Sequence, residues 1–594
     1  MRPLRVWAPS ASAVDVVLGI AGDEVVRPMV AASGGWWEHD LADSPSGTRY
    51  GFRLAARPDG DEREGDVLAD PRASWLPDGV HGRSAVYDHA AYPWTDDTWR
   101  GTPLAGAVLY ELHVGTFTER GTFDAVVEHL DHLVDLGVTA VELLPVNSFN
   151  GPRGWGYDGV GLYAPHEPYG GPDGLKRLVD ACHARGLGVV LDVVYNHLGP
   201  SGNHLARFGP YFTETHHTPW GDAVNYDAAG SDEVRRFVLD NVAHWVRDFH
   251  IDGLRLDAVH AIVDETATHL LEEMAVTAGG LAATLDREVS LIAESDLNDP
   301  RLITPREAGG YGLDGQWTDD VHHALHSALT GETQGYYVDF GPLSVLAKAM
   351  TRTFVHDGTY STFRDRRHGR AVPAETPGWR FVTYLQDHDQ IGNRAVGDRI
   401  TAALSPGLLA VGAALNLCSP YTPMLFMGEE WGARTPWQYF TSHPEPELAE
   451  AVRHGRRAEF ASHGWAEDDV PDPQALSTFE ASRLDWSEPA AAEHAALLRW
   501  HRTVIALRRR ELQLGDADRG ATSATYDEDA RWFVLRRSYI VVVCNLAPDR
   551  AEVPVEGTPV EVLASSAPGF GYAEGSVTLD GESVVIARLL PRAR

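Results

Sequence analysis

Four acidic residues, each closing a short apolar run, are the groups in this chain most suited to chemistry: Asp192, Asp257, Glu294 and Asp389. Arg255 stands two positions before Asp257, so on a strand both side chains would lie on the same side. A fixed cation there lowers the pKa of the Asp257 carboxyl and keeps it ionised. An ionised carboxylate facing a second, protonated one is the arrangement that cleaves glycosidic bonds. Any one of these acids alone could cap a helix or form a structural ion pair, but together they favour catalysis.

The elements that must position these acids alternate between strand-like runs and helices. From about residue 105, helical patterns such as 123–136 and 231–250 separate several of the runs, and Ser231 is a candidate N-cap for the second helix. Parallel strands with crossover helices predict a (β/α)8 TIM barrel, whose active groups lie at the C-terminal strand ends. The eight apolar runs are residues 108–113, 140–146, 189–194, 253–258, 291–294, 313–317, 381–386 and 424–427.

Two β-rich parts flank the predicted barrel, so the chain is expected to be a multidomain α/β protein. In residues 1–100, Val14, Val16 and Leu18 alternate with other residues, which is typical of a β-sandwich. The barrel is assigned to residues 101–512 and ends with a helix at 493–510. A C-terminal β-sheet domain, residues 513–594, contains strand-like runs at 532–535, 540–543, 560–562 and 584–586.

The composition indicates which partners and which cellular location to expect. The 594 residues include 50 Lys and Arg against 85 Asp and Glu, a net charge of −35. Such a charge repels phosphate backbones and anionic lipid, so neither nucleic acid nor a membrane surface is an expected partner. The three cysteines are far apart and form no disulfide framework. We find no signal core and no apolar run long enough to span a membrane, and we expect a cytoplasmic protein.

The strand-end segments resemble the four sequence regions of the α-amylase family of glycoside hydrolases. They are residues 192–197, 253–260, 293–295 and 386–390. The resemblance implies that Asp257 is the nucleophile, Glu294 the general acid/base and Asp389 the transition-state stabiliser. It also implies that the N-terminal sandwich is of the immunoglobulin-like, carbohydrate-binding type. The substrate-binding residues that it implies around the reacting sugar are Tyr157, Asp192, His197, Arg255, His260 and His388.

Further segments resemble one group within that family, the maltooligosyltrehalose trehalohydrolases. They are residues 6–9, 316–326, 387–394 and 424–431. The resemblance implies a retaining hydrolase that cuts the α-1,4 bond next to the terminal trehalose of a trehalose-capped malto-oligosaccharide. It further implies a functional pairing with a maltooligosyltrehalose synthase, a role in trehalose biosynthesis, and sugar contacts from Asp319, Asp320 and Asn393.

Two alternatives remain open. One is α-1,4-glucan branching or α-1,6 debranching on the same fold. The other is a non-catalytic glucan-binding protein, which the presence of all three acids disfavours. The chain also departs from the family at Asp387, where Asn is common, and this change adds a charge and removes two hydrogen-bond donors.

No cofactor and no metal are predicted. Asn196 could ligate calcium, but no acidic loop completes a cage around it. His322 and His326 have the spacing of metal ligands on a helix, yet a solvated or packed helix face is the favoured interpretation. The GxGxxG pattern at 310–315 follows a loop instead of a strand, so a dinucleotide site is rejected.

Overall fold

A computed structural model describes residues 3–40, 44–55, 66–218, 221–461 and 470–590. It confirms the predicted architecture: a closed parallel barrel between an N-terminal β-sandwich and a C-terminal β domain. Among these residues, no helix combines the length and the apolar character that a membrane span requires.

The N-terminal domain is built from two antiparallel sheets. One has the strand order β1-β5-β4 and the other β3-β2-β6-β7. Val14 and Val16 are fully buried while Asp15 between them is not, so the alternation seen in the sequence is the alternation of an inner and an outer sheet face. The strands are β1 Leu4–Trp7, β2 Val14–Leu18, β3 Val25–Pro28, β4 Val30–Ala31, β5 Trp36–His39, β6 Arg49–Leu54 and β7 Ser84–Ala85.

All eight predicted runs form the closed barrel, in the order β12-β15-β16-β17-β20-β21-β8-β9. Strands buried on both faces are nearly continuous apolar runs in sequence, and for that reason they were recognisable. The strands of this region are β8 Leu109–Leu112, β9 Ala140–Leu143, β10 Asn147–Ser148, β11 Gly161–Pro165, β12 Gly188–Val193, β13 Phe212–Thr218, β14 Gly221–Val224, β15 Gly253–Leu256, β16 Ser290–Ala293, β17 Gly315–Trp317, β18 Tyr360–Ser361, β19 Arg366–Arg367, β20 Phe381–Tyr384 and β21 Thr422–Phe426.

The helices differ from the sequence-based prediction in two details. The pattern at 123–136 is two helices, α2 and α3, broken before Leu130. Ser231 is not an N-cap: Gly230 holds that position with φ 83°, and Ser231 is the first helical residue. The helices are α1 Val114–Phe117, α2 Phe123–Val127, α3 Leu130–Leu136, α4 Gly171–His183, α5 Leu205–Phe208, α6 Ser231–Asp248, α7 Leu270–Leu285, α8 Asp319–Thr330, α9 Leu343–Arg352, α10 His388–Gly392, α11 Pro406–Leu417, α12 Pro446–Ala461, α13 Leu476–Ala481, α14 Ala492–Arg510 and α15 Leu512–Gly515.

An apolar layer closes the lower part of the barrel, with Leu109, Val190, Ile292 and Met424 among its buried members. Two residues further along β8 and β12, Glu111 and Asp192 follow Leu109 and Val190. Side chains two positions apart point to the same side of a strand, so the polar residues lie one layer above the apolar ones, toward the C-terminal mouth.

The C-terminal domain consists of a five-stranded sheet, β22-β23-β24-β29-β26, and a three-stranded sheet, β25-β28-β27. Val543, Val553 and Val577 belong to the buried cluster between them. The strands are β22 Thr522–Asp527, β23 Trp532–Arg537, β24 Ile540–Asn545, β25 Ala551–Pro554, β26 Pro559–Ser565, β27 Phe570–Ala573, β28 Ser576–Leu579 and β29 Ser583–Leu589.

Candidate active site

Asp257 lies directly after β15 and is held by two hydrogen-bond donors. Arg255 Nη1 donates to its Oδ1 at 2.7 Å, and Asn196 Nδ2 donates to its Oδ2 at 2.8 Å. Arg255 is completely buried and its guanidinium lies over the Trp317 ring at 4.5 Å. The two donors and the buried cation therefore fix the orientation of the Asp257 carboxyl at the mouth of the barrel.

Glu294 follows the neighbouring strand β16 and occupies a different electrostatic environment. Its Oε2 accepts from the backbone N–H of Ala258 at 2.6 Å and lies 3.9 Å from Arg255 Nη2. Ala258 holds φ at 41°, a left-handed conformation that is strained for a residue with a side chain. Burial raises the pKa of Glu294 well above its usual range, against the opposing charge of Arg255, and the Asp257 carboxylate raises it further. Glu294 therefore keeps its proton to a higher pH than an ordinary carboxyl does.

A chain of hydrogen bonds joins four of the residues expected around the sugar. Tyr157 OH donates to Asp192 Oδ2 at 2.6 Å and accepts from His388 Nε2 at 2.7 Å. Arg255 Nη1 donates to the same Asp192 oxygen at 2.9 Å. Burial raises the pKa of Asp192 to about 7, although Arg255 opposes the shift. The chain fixes the Tyr157 ring beside the reacting centre.

Sequence reasoning missed Glu111, which orients His388 from the opposite side. His388 Nδ1 lies 2.5 Å from Glu111 Oε1, and the His388 backbone N–H donates to Oε2 at 3.1 Å. Burial opposes the charged ring, but the Glu111 carboxylate outweighs it and raises the pKa of His388 to about 10. The imidazolium thus donates from both ring nitrogens. A lone acid inside the apolar run 108–113 was the available signal.

Glu142 is a second acid that sequence reasoning missed, and it pairs with Glu111 in the register of β9 with β8. It is buried, and neither of its oxygens has a hydrogen-bond partner among the described residues. Burial, and then the charge of Glu111, raise the pKa of Glu142 well above its usual range. The two paired acids therefore differ: Glu111 is hydrogen-bonded to His388, whereas Glu142 has no partner among the described residues and a pKa raised toward the neutral form.

The difference between the paired acids predicts different outcomes for the same substitution. Glu111→Gln should lower kcat roughly 10-fold to 100-fold, the usual effect of removing an outer partner that orients a functional histidine. Glu142→Gln exchanges one neutral group for another of similar shape and should change kcat less than about 3-fold. Steady-state kinetics of both variants measure this contrast, and equal losses would contradict it.

The remaining predicted residues around the reacting sugar lie at the mouth. His197 is buried, and its Nε2 lies 2.9 Å from the Tyr157 carbonyl oxygen; burial lowers the pKa of His197. Asp389 is the second residue of α10, and its side chain is 43% exposed and lies 3.6 Å from His388 Nε2. His260 is exposed in the turn after Asp257. Asp389 therefore stands open to a ligand while remaining next to the buried cluster.

The three further residues predicted to contact sugar lie in different environments in the structure. Asp319 accepts a hydrogen bond from Tyr384, and burial raises its pKa to about 6. Asn393 is exposed at the end of α10, within 3.3 Å of Arg456. Asp320 is buried, and the amides of Val355 and His356 donate to its Oδ2 at 2.7 and 2.9 Å. Asp320 thus anchors a loop, and we withdraw it as a sugar contact.

Asp387 caps α10, because its Oδ1 accepts from the backbone N–H of Gln390 at 2.9 Å. Burial, and then the charge of Glu111, raise the pKa of Asp387 well above its usual range. The extra charge expected from Asp in place of Asn is therefore suppressed, and the side chain serves the helix that presents Asp389.

The residues considered as metal ligands in the sequence are engaged otherwise. The Asn196 amide donates to the backbone oxygen as well as to Oδ2 of Asp257, so it orients the nucleophile. His322 Nδ1 lies 2.9 Å from the Leu385 carbonyl oxygen, inside the packed face of α8. The pattern at 310–315 ends in strand β17 and opens no helix. The second and third observations agree with the interpretations made from sequence.

Three family descriptions match the chain. Residues 89–214 match "Alpha amylase, catalytic domain", residues 3–73 match "Carbohydrate-binding module 48 (Isoamylase N-terminal domain)", and residues 517–586 match a domain of unknown function, DUF3459. The first covers Tyr157, in the loop between β10 and β11, and Asp192 on β12. The second covers most of the N-terminal sandwich.

Similar proteins match over nearly the whole chain. The malto-oligosyltrehalose trehalohydrolase of Arthrobacter ramosus is 54% identical over 99% of this chain and 100% of its own length. That of Mycobacterium tuberculosis (strain CDC 1551 / Oshkosh) is 52% identical over 99% of both chains. Among solved structures, a Salmonella typhimurium protein assigned to the alpha amylases superposes with a TM-score of 0.88 at 36% identity, covering 99% of this chain and 97% of that one.

Proposed function

The chain belongs to the malto-oligosyltrehalose trehalohydrolases of the α-amylase family, and we propose that it cleaves the α-1,4 bond next to the terminal trehalose of a maltooligosyltrehalose. One observation carries this choice of substrate: identity of 52–54% with trehalohydrolases over 99% of the chain. Branching and debranching are the disfavoured alternatives. A glycoside hydrolase on this barrel is the function that the site itself supports.

In the proposed reaction, Glu294 and Asp257 divide the work between acid and nucleophile. Glu294 gives its proton to the glycosidic oxygen while Asp257 attacks the anomeric carbon, forming a covalent glycosyl–enzyme and releasing trehalose. Glu294, now ionised, takes a proton from water, which attacks the anomeric carbon and frees Asp257. The raised pKa of Glu294 supports the first step, and the two donors on Asp257 support its role as the ionised partner.

Asp389 is assigned to the sugar hydroxyls, because its carboxylate is exposed beside the buried cluster. His388 and Arg255 supply fixed positive charge beneath the same sugar. These fixed charges are already in place when the charges of the Asp257 and Glu294 carboxyls change during the reaction, so they stabilise that change without rearranging. Tyr157, held by Asp192 and His388, provides an aromatic face of the kind that stacks on sugar rings.

Selectivity for a trehalose cap must arise beyond the scissile bond, because that bond is an ordinary α-1,4 link. The trehalose unit has an α,α-1,1 link and no reducing end, so its last ring is turned relative to that of maltose. A site that hydrogen-bonds this ring leaves its own groups unpaired when the other ring enters, at a cost of ~1–3 kcal/mol each. We expect kcat/KM to be at least about 100-fold higher on maltotriosyltrehalose than on maltopentaose. Comparable values, or formation of α-1,6 branches, would favour the branching alternative.

Catalysis should need no metal ion, since two carboxylates suffice for glycosidic cleavage. After dialysis of the full-length enzyme against a chelator, kcat on maltotriosyltrehalose should remain unchanged. A loss of kcat that added calcium restores would point back to Asn196. We also propose that the protein acts in the cytoplasm and takes its substrate from a maltooligosyltrehalose synthase, which a coupled assay from malto-oligosaccharide to free trehalose would test.

A further inference from the structure

A cleft of about 990 Å³ lies between the N-terminal sandwich and the outer face of the barrel, away from the catalytic acids. Its walls come from both domains: Tyr50 and Arg72 on one side, and the last turns of α6 on the other. The side chains lining it include five carboxylates and three guanidinium groups. The excess of negative charge and the wide opening make the cleft accessible to a small cation.

Three potential metal ligands meet in this cleft. His244 and Asp248 are one turn apart on α6, and His89 comes from the short helical turn that follows the sandwich. One donor atom from each of the three lies within 4.8 Å of the other two. Two imidazoles and a carboxylate at this spacing match the donor set of zinc sites with an open fourth position.

The hydrogen bonds of His244 turn its Nδ1 toward the Asp248 carboxylate. Its Nε2 lies 2.8 Å from the Tyr163 carbonyl oxygen, which can only accept, so Nε2 carries a proton. Its Nδ1 lies 3.1 Å from Asp248 Oδ2. In the neutral ring, Nδ1 would direct a lone pair at the carboxylate. Either a second proton or a metal ion must stand between these two acceptors.

His89 supplies the second observation. Its Nε2 is 2.9 Å from Ser74 Oγ, and its Nδ1 is buried with no hydrogen-bond partner among the described residues. A hydroxyl on one ring nitrogen and a free second nitrogen is the arrangement in which histidines bind metals, because the outer partner fixes the tautomer and the ring orientation. His244 also has an outer partner, the Tyr163 carbonyl, but its second nitrogen faces Asp248, the third proposed ligand.

We propose that His89, His244 and Asp248 bind one divalent transition-metal ion, with Zn²⁺ as the best match, and that water from the cleft fills its fourth position. The ion would join the segment after the N-terminal sandwich to the barrel helix α6. Its role is structural, because none of the catalytic acids takes part. Arg247 also donates to Asp248, at 2.8 Å, so the ion shares that carboxylate with a guanidinium.

The test uses full-length protein without a polyhistidine tag, stripped of metal by a chelator. Titration with ZnCl2 by calorimetry should give one equivalent, and CoCl2 should give the visible absorption of a tetrahedral site. Zn²⁺ should raise the Tm, because a ligand of the folded state stabilises it. kcat should be the same with and without Zn²⁺.

Two variants and one control decide between a metal and a second proton. His89→Ala removes a ligand from a surface turn, and Asp248→Asn keeps the shape of the helix residue. Both should weaken Zn²⁺ binding at least 10-fold and abolish the rise in Tm. His217→Ala, at an exposed histidine 3.5 Å from Asp222, should bind Zn²⁺ like the wild type. No binding by the wild type at 1 mM ZnCl2, or equal binding by the His89 and Asp248 variants, would overturn the proposal.

Discussion

Asp257→Asn should reduce kcat on maltotriosyltrehalose by on the order of 10⁴- to 10⁶-fold, the scale on which hydrolases fail when the nucleophile is removed. The amide matches the carboxylate in shape, so Arg255 and Asn196 keep a partner and the barrel keeps its fold. What disappears is the charge that attacks the anomeric carbon. Circular dichroism should be unchanged while turnover is lost. Asp131→Asn, at an exposed carboxylate far from the site, should retain wild-type kcat.

Azide distinguishes loss of the nucleophile from general damage. In the Asp257→Asn variant, azide can enter on the face of the sugar that the carboxylate used, restore turnover and give a β-glycosyl azide. This product follows because a single displacement inverts the α configuration. Rescue that gives an α-glycosyl azide would mean that the roles of Asp257 and Glu294 are reversed.

Glu294→Gln should lower kcat by about 10²- to 10⁴-fold, the usual contribution of a general acid. The pKa of Glu294 is raised mainly by burial, so the wild-type side chain keeps its proton to a higher pH than an ordinary carboxyl does. Activity should therefore fall as the pH rises through that pKa, which makes Glu294 the origin of the alkaline limb of the pH profile. The variant has no proton to lose at this position, and its residual activity should lack that limb.

Two further experiments serve as controls for Glu294→Gln: hydrolysis of substrates with a good leaving group, and reaction in the presence of azide. Substrates with a good leaving group, such as aryl α-glucosides, need little protonation of the leaving oxygen. The variant's kcat should therefore fall less on them than on maltotriosyltrehalose. Azide should intercept the covalent intermediate and give an α-glycosyl azide, since two inversions restore the α configuration. An unchanged alkaline limb in Glu294→Gln would contradict the assignment of the general acid.

The barrel was predictable because its strands are buried on both faces and stand out as apolar runs between helical patterns. The candidate catalytic acids stood out in the sequence because each ends such a run. The break between α2 and α3 could not be predicted, because the apolar pattern continues through it without interruption. The predicted N-cap of α6 was wrong because Gly230, which can adopt a positive φ, takes that position and Ser231 becomes the first helical residue.

The sequence alone could not predict which of two neighbouring residues with the same side chain faces the candidate active site. Asp319 and Asp320 both begin α8, but successive residues of a helix point about 100° apart. One therefore meets Tyr384 beside the catalytic residues and the other anchors the loop at Val355. His89 and His244 lie 155 positions apart, and only the packing of the N-terminal domain on α6 brings them together.

A proton NMR time course of maltotriosyltrehalose hydrolysis tests the central claim most directly, because one spectrum reports both the bond cleaved and the stereochemistry. The account predicts that free trehalose and maltotriose appear in equal amounts and that the new reducing end is first seen as the α anomer, before mutarotation adds the β form. A β anomer at the earliest times would contradict the covalent intermediate on Asp257. Maltose or glucose in place of trehalose, or α-1,6 anomeric signals, would contradict the assignment as a trehalohydrolase.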